Sequence, residues 1–170
     1  MLALLFVVTG IIARIIPHLP NFTPVGAAAL FGGAYLPKKW ALIMPILIMV
    51  VSDLVIGFDG FFSRAYVYGS FLLIGLLGLW LRTHKSTGNI ILVTFSSSVL
   101  FFALTNFGVW AHSTMYEKSL NGLMHSYMMG LPYFRYTLLG DFFYTGVFFG
   151  AYGAASYYLK KTKLARLVDA

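Results

Sequence analysis

Two acids, Asp53 and Asp141, stand in strongly apolar sequence, and their placement raises the first chemical question. Asp53 follows "ILIMVVS" and Asp141 opens "DFF" after "LLG". An ionised carboxylate in hydrocarbon costs several kcal/mol unless it is paired or wetted, so each is a candidate functional group. For Asp53 the alternative is a fold-holding role, as a helix-end cap or as the partner of Arg64 or Arg14. The stretch "TNFGVW" adds Asn106, with two donors and an acceptor, and Trp110, a flat apolar wall with a polar edge. Asn21 and Tyr133 fall at the same end of the predicted elements. Arg135 could neutralise a ligand carboxylate or phosphate, or pair with Asp141. Asn21, Asp53, Asn106, Trp110, Tyr133, Arg135 and Asp141 thus form an expected binding set for an organic ligand with a few hydrogen-bonding groups. Taken singly, Trp110, Tyr133 and Tyr136 fit an interfacial aromatic belt.

Other chemistries find less material. The chain has no cysteine, which removes disulfides, thiolate metal sites and a Cys nucleophile. His18, His112 and His125 show no H-x-x-H or HExxH spacing, so no metal site is expected. G-x-S-x-G, Walker A and dinucleotide fingerprints are missing, and no cofactor or catalytic residue is assigned. An intramembrane enzyme would have only Asp53, His112 and Asp141 to work with. "NFT" at 21–23 matches a glycosylation sequon that lies too close to the predicted membrane for use.

The elements that position these groups follow from composition. Of 170 residues, 59% are hydrophobic and 10% charged, against about a quarter charged in soluble domains. That composition predicts an all-α, polytopic membrane protein, with residues 1–170 as a single transmembrane domain and membrane lipid as its main surroundings. Apolar stretches at 1–16, 24–36, 40–57, 66–81, 89–110 and 137–159 predict about six transmembrane helices. The second is short for a span and is expected to be tilted, partly submerged or re-entrant. The N-terminal stretch lacks a basic region ahead of its apolar run and is not expected to be a cleaved signal peptide. With both termini cytoplasmic, Lys38, Lys39, Arg82, Lys85, Lys160, Lys161, Lys163 and Arg166 lie inside, and Arg14, Arg64, Lys118 and Arg135 outside. The excess of positive charge, +7 overall, then reports topology and lipid headgroups, not nucleic acid. The expected location is the inner (cytoplasmic) membrane, and Asp53, Asp59, Glu117 and Asp141 gather toward its outer half. Between 111 and 136, Leu120, Leu123, Met124, Tyr127, Met128 and Leu131 recur at helical spacing, predicting a short amphipathic helix over the outer face.

Tiny residues fall in two sets. Ala28 with Gly32 and Ala29 with Gly33 lie four apart in the second stretch; Gly146, Gly150 and Ala154 make a stripe in the last. Such stripes let helix backbones approach closely, within the chain or against a partner helix. The Ser cluster in "TFSSS" (94–98) provides either a polar pathway or helix-to-helix hydrogen bonds.

The order "PNFTPVGAAALFGGAYLPKKW...SDLVIGF", then "TNFGVW" and "LPYFRYTLLGDFFYTGVFFGAYG", resembles a bacterial family of small, uncharacterised six-helix membrane proteins. The likeness runs from about residue 14 to 153. That family is in turn similar to the substrate-binding S components of energy-coupling factor (ECF) vitamin transporters, a fold-level analogy. The analogy implies an outward-facing pocket for a vitamin-sized ligand, roofed by outer loops including residues 14–24, and a transmembrane energising partner with ATPases. S components commonly dock on that partner through A-x-x-x-A in the first helix; here only Thr9 and Ala13 hold that spacing. The expected function is a substrate-binding subunit for uptake of a vitamin-like or other small organic micronutrient, not an enzyme. The alternatives are a solitary carrier or channel, or an intramembrane enzyme or assembly factor.

Overall fold

The computed structural model of the protein describes residues 2–16, 19–58 and 60–161. It is all-helical, in the order α1 (Leu2–Ile15), α2 (Val25–Tyr35), α3 (Lys38–Ile56), α4 (Phe61–Leu81), α5 (Thr87–His112) and α6 (Leu120–Lys161). Three of these, α3, α4 and α5, are long and apolar enough to cross a membrane. Their outward faces carry uncovered residues such as Leu54, Val55, Leu76 and Phe95, as lipid contact requires. The chain is therefore a helical membrane protein. Of the polar residues read from the sequence, His18, Asp59, Lys163 and Arg166 lie outside the described residues.

The short second helix is the centre of the bundle. At 11 residues it is only about 16 Å long, and every residue from Val25 to Ala34 is buried. It packs against each of the other helices. Alone such a segment would be unstable, because nucleation is costly and its three glycines each lower helix propensity by about 1 kcal/mol. Burial on all sides supplies what length does not. Its small residues are the reason it fits: a Cβ on Gly33 would lie 2.5 Å from the backbone of Gly78, and one on Gly78 would lie 2.5 Å from the carbonyl of Leu30. The backbones of α2 and α4 therefore touch. At its lower end Phe31 sits among Tyr35, Phe148, Phe149 and Tyr152, with ring centroids 4.9–6.2 Å away. Arg82 closes that end by donating from Nε and Nη2 to the Gly33 carbonyl at 3.1 and 2.9 Å, and from Nη2 to that of Leu36. A cation at a helix C-terminus also complements the dipole.

Prolines are absorbed in the same way. Pro45 inside α3 has no N–H for the Ala41 carbonyl, and Gly75 of α4 packs against that oxygen, 3.0 Å from where its Cβ would be.

Two boundaries differ from the expected ones. The helix expected to lie separately over the outer face is the first part of α6, which runs unbroken for 42 residues. Pro132 stands inside it and leaves the Met128 carbonyl without its helical donor, yet the segment continues because it packs onto α5 through Ser126, Tyr127 and Gly130. Tyr127 donates to the Ala103 carbonyl at 3.0 Å, Ser126 to that of Asn106 at 2.9 Å, and Phe102 and Phe134 lie 4.8 Å apart. α4 begins at Phe61, five residues ahead of the expected stretch at 66–81. α3 ends where Gly57 takes φ +110°, a conformation open mainly to glycine.

Candidate functional site

The chain enters the site through the link between α1 and α2. Asn21 adopts φ +61°, a left-handed conformation that Asn tolerates better than most residues. The turn is fixed by Phe22 N donating to the Leu19 carbonyl at 3.0 Å and Thr23 N to that of Asn21 at 3.0 Å. Phe22 then docks on α6 against Phe143 and Tyr144, with centroids 5.8 and 5.5 Å away. The segment is thereby a wall, positioned by its own backbone and by α6.

Behind it lies a cavity of about 200 Å³ to which all six helices contribute. Its charged lining is Arg14 of α1, Asp53 of α3, Arg64 of α4 and Asp141 of α6. Arg14 reaches across to α3, where Nη1 pairs with Asp53 Oδ1 at 2.5 Å and also meets Ser52 Oγ. The second carboxylate oxygen of Asp53 accepts from the Tyr68 hydroxyl at 2.5 Å. A buried acid with a cation on one oxygen and a phenol on the other is well satisfied.

Asp141 is held differently. Its Oδ2 accepts from Ser98 at 2.7 Å, while Oδ1 presses against Gly26 in the first turn of α2, where any side chain would collide with it. Pro24 at the N-cap gives that helix end no side-chain acceptor, and the free N–H groups there favour a nearby negative charge. Thr137, Asp141 and Thr145 repeat at intervals of four on the buried face of α6, so one helical stripe carries the polar groups inward. Val67, Phe71, Ile74 and Phe101 complete the cavity with apolar surface.

A second cavity of about 270 Å³ adjoins the first and shares Asn21, Phe101 and Thr137 with it. Asn106 and Tyr133 line this one. Asn106 packs its amide against Gly130 and donates from Nδ2 to the Phe102 carbonyl at 2.9 Å. Together the two cavities reach the range of roughly 300–1,000 Å³ usual for small-molecule sites.

Five of the seven expected binding residues are thus gathered: Asn21 between the cavities, Asp53 and Asp141 in the first, Asn106 and Tyr133 in the second. Trp110 and Arg135 line neither. The Trp110 indole donates to the Glu117 carbonyl at 2.9 Å, and Lys118 donates to the carbonyls of Trp110 and Ser113, clasping the loop before α6. Arg135 bonds the Tyr136 hydroxyl at 2.9 Å; it does not pair with Asp141. Arg14, Arg64, Tyr68 and Ser98 were not in the expected set. Arg14 carried the signal of a cation ending an apolar run, and Ser98 that of the "TFSSS" cluster; Tyr68 had none beyond its type.

The remaining hydroxyls of that cluster serve their own helix. Thr94, Ser96 and Ser97 donate to the carbonyls of Ile90, Leu92 and Val93 at 2.7–2.9 Å. The small residues also divide. Ala28, Ala29, Gly32 and Gly33 are packing positions inside the bundle, whereas Cβ atoms on Gly146 and Gly150 would meet open space and Ala154 is exposed. A packing role for the α6 stripe within the chain is therefore corrected: it faces outward. Among the described residues no three His, Asp or Glu gather as a metal-binding group.

No curated protein and no solved structure matches the chain. A protein family does, over residues 1–164, and the chain belongs to that family, described as a family of unknown function (DUF6580).

Proposed function

We propose that the chain is a substrate-binding membrane subunit that takes up a vitamin-like or other small organic micronutrient through the cavity that all six helices line. What carries this reading is the concentration of four charged side chains around one cavity in an otherwise apolar bundle. Charges inside a membrane protein are costly and mark binding or transport sites by default. In this reading the cavity opens outward, both termini are cytoplasmic, and the fold is similar to that of ECF S components. The membrane is the inner one, crossed several times. The ligand, not a reaction, is the purpose of the site, so the protein is not an enzyme. Energy for uptake then comes from a transmembrane partner with ATPases, for which the outward stripe of Gly146, Gly150 and Ala154 is the available close-contact face.

The test is to purify the protein in mild detergent and identify by mass spectrometry the small molecules that accompany it. A recurrent organic micronutrient, lost from an Asp141→Asn variant, is the expected result. Lipid alone in every preparation defeats the reading. A solitary carrier is the second reading, favoured by the polar stripe Thr137, Asp141 and Thr145 leading inward on α6; it predicts uptake by proteoliposomes that contain this chain alone. A channel has less support, because the hydroxyls of Thr94, Ser96 and Ser97 are taken up by their own helix.

A further inference from the structure

The four charges of the cavity are not equivalent, and their inequality points to the ligand's chemistry. Arg14 and Asp53 answer each other at 2.5 Å, with Tyr68 on the remaining oxygen of Asp53. Arg64 has no such answer. Its Nε is buried, and among the described residues it has no hydrogen-bond partner and no carboxylate pairs with it. The guanidinium carbon lies over the Phe58 ring, 4.7 Å from its centroid. Arginine cannot shed its proton to escape, so the cation persists with donors unfilled. A buried donor left unmade is expensive, more so for a charged group.

We propose that the cavity selects a small organic acid, with its carboxylate seated on Arg64 and a hydroxyl or amine donor directed to Asp141. The proposal rests on the ligand-binding reading above and adds the ligand's class. A carboxylate offers two oxygens in the plane that the guanidinium fork requires. A phosphate fits the charge balance less well. Carrying about −1.5 to −2, it would meet one unanswered cation while lying among the carboxylates of Asp53 and Asp141, and like charges in one site repel. Asp141 uses Oδ2 for Ser98 and has no donor on Oδ1 among the described residues, so it offers an acceptor to the ligand's donor. Phe71, Ile74 and Phe101 supply the apolar surface for the body between. At about 200 Å³ the cavity admits a compact body; a longer ligand would extend past Asn21 into the second cavity.

The experiment measures thermal unfolding of the full chain in mild detergent with monocarboxylic acids that fit the cavity, each beside its own primary amide, and with inorganic phosphate as a separate probe. Acids are expected to raise the melting temperature, with each matched amide binding about tenfold or more weakly, the loss of one charged contact. Arg64→Gln is expected to erase the difference between acid and amide, and Arg64→Lys to keep part of it. Amides that bind as well as their acids, stabilisation by phosphate with none by acids, or acid binding unchanged in Arg64→Gln each overturn the proposal while the pocket stands. If no compound of any class stabilises the protein, the pocket reading falls with it. The comparison of acid with amide is made on the wild-type chain, so it decides even where a variant fails to fold.

Discussion

Arg14 and Asp53 illustrate how a charge inside a membrane protein can be either structure or site. Asp53 is 7% exposed in its side chain and Arg14 19%, and the two are joined at 2.5 Å. Removing Asp53 takes the counter-charge from a half-buried Arg14, so Asp53→Ala should destabilise the protein by roughly 3–5 kcal/mol, whereas replacing both, as in Arg14→Met with Asp53→Leu, should recover most of that loss. Detergent melting of the two singles and the double decides it; a double variant as unstable as Asp53→Ala would mean that the pair does not act as a unit. Asp141 makes a different demand on Gly26. Because its carboxylate occupies the space of a Cβ there, Gly26→Ala should cost about 1–3 kcal/mol as an overpacked contact and disturb ligand binding as well. A fully stable Gly26→Ala would show that Asp141 can move away freely. At this scale the sequence made Asp53 and Asp141 visible, since an acid in apolar surroundings stands out by type. It could not assign partners: Arg14 and Arg64 were equal choices for Asp53, and the decision came from α1 packing on α3.

Among the elements, α2 carries the clearest consequence. Its small residues were legible as a close-packing surface, but their spacing alone did not tell an internal contact from an external one, and the same pattern in α6 has the opposite placement. Gly78→Ala places a methyl group against the Leu30 carbonyl and the Gly33 backbone, neither of which can rotate aside, so a loss of about 1–3 kcal/mol or more is expected. Gly150→Leu should change stability by no more than about 0.5 kcal/mol, since its surroundings are open. Melting curves that rank the two variants the other way would contradict the placement of both helices. Boundaries were less legible than existence. Between 111 and 136 the helical spacing reads as a separate short helix, but contacts such as Tyr127 with Ala103 outweigh the hydrogen bond missing at Pro132 and make it one helix with the last span.

On the scale of the whole molecule, the length of α6 governs how the bundle sits in its membrane. Its 42 residues extend about 63 Å at 1.5 Å per residue, roughly twice the hydrocarbon thickness of about 30 Å. Part of it must project, and the portion before Pro132 is the natural choice because it exposes Asn121 and His125 and leads from the polar loop clasped by Lys118. The opposite end of the bundle holds Lys38, Lys39, Arg82 and Lys85 near helix ends, and the proposed orientation, with that end cytoplasmic, follows the positive-inside rule. The absence of cysteine makes a single-thiol test clean. Met124→Cys, at an exposed position of the projecting segment, should react with a membrane-impermeant maleimide applied to intact cells. His84→Cys, in the short connection between α4 and α5, should react only after permeabilisation, and Val147→Cys, on the outward face of α6, should resist in both because lipid covers it. Labelling of His84→Cys in intact cells with protection of Met124→Cys would invert the molecule, placing the cavity lined by Arg64 and Asp141 toward the cytoplasm and making uptake by an outward-facing pocket untenable.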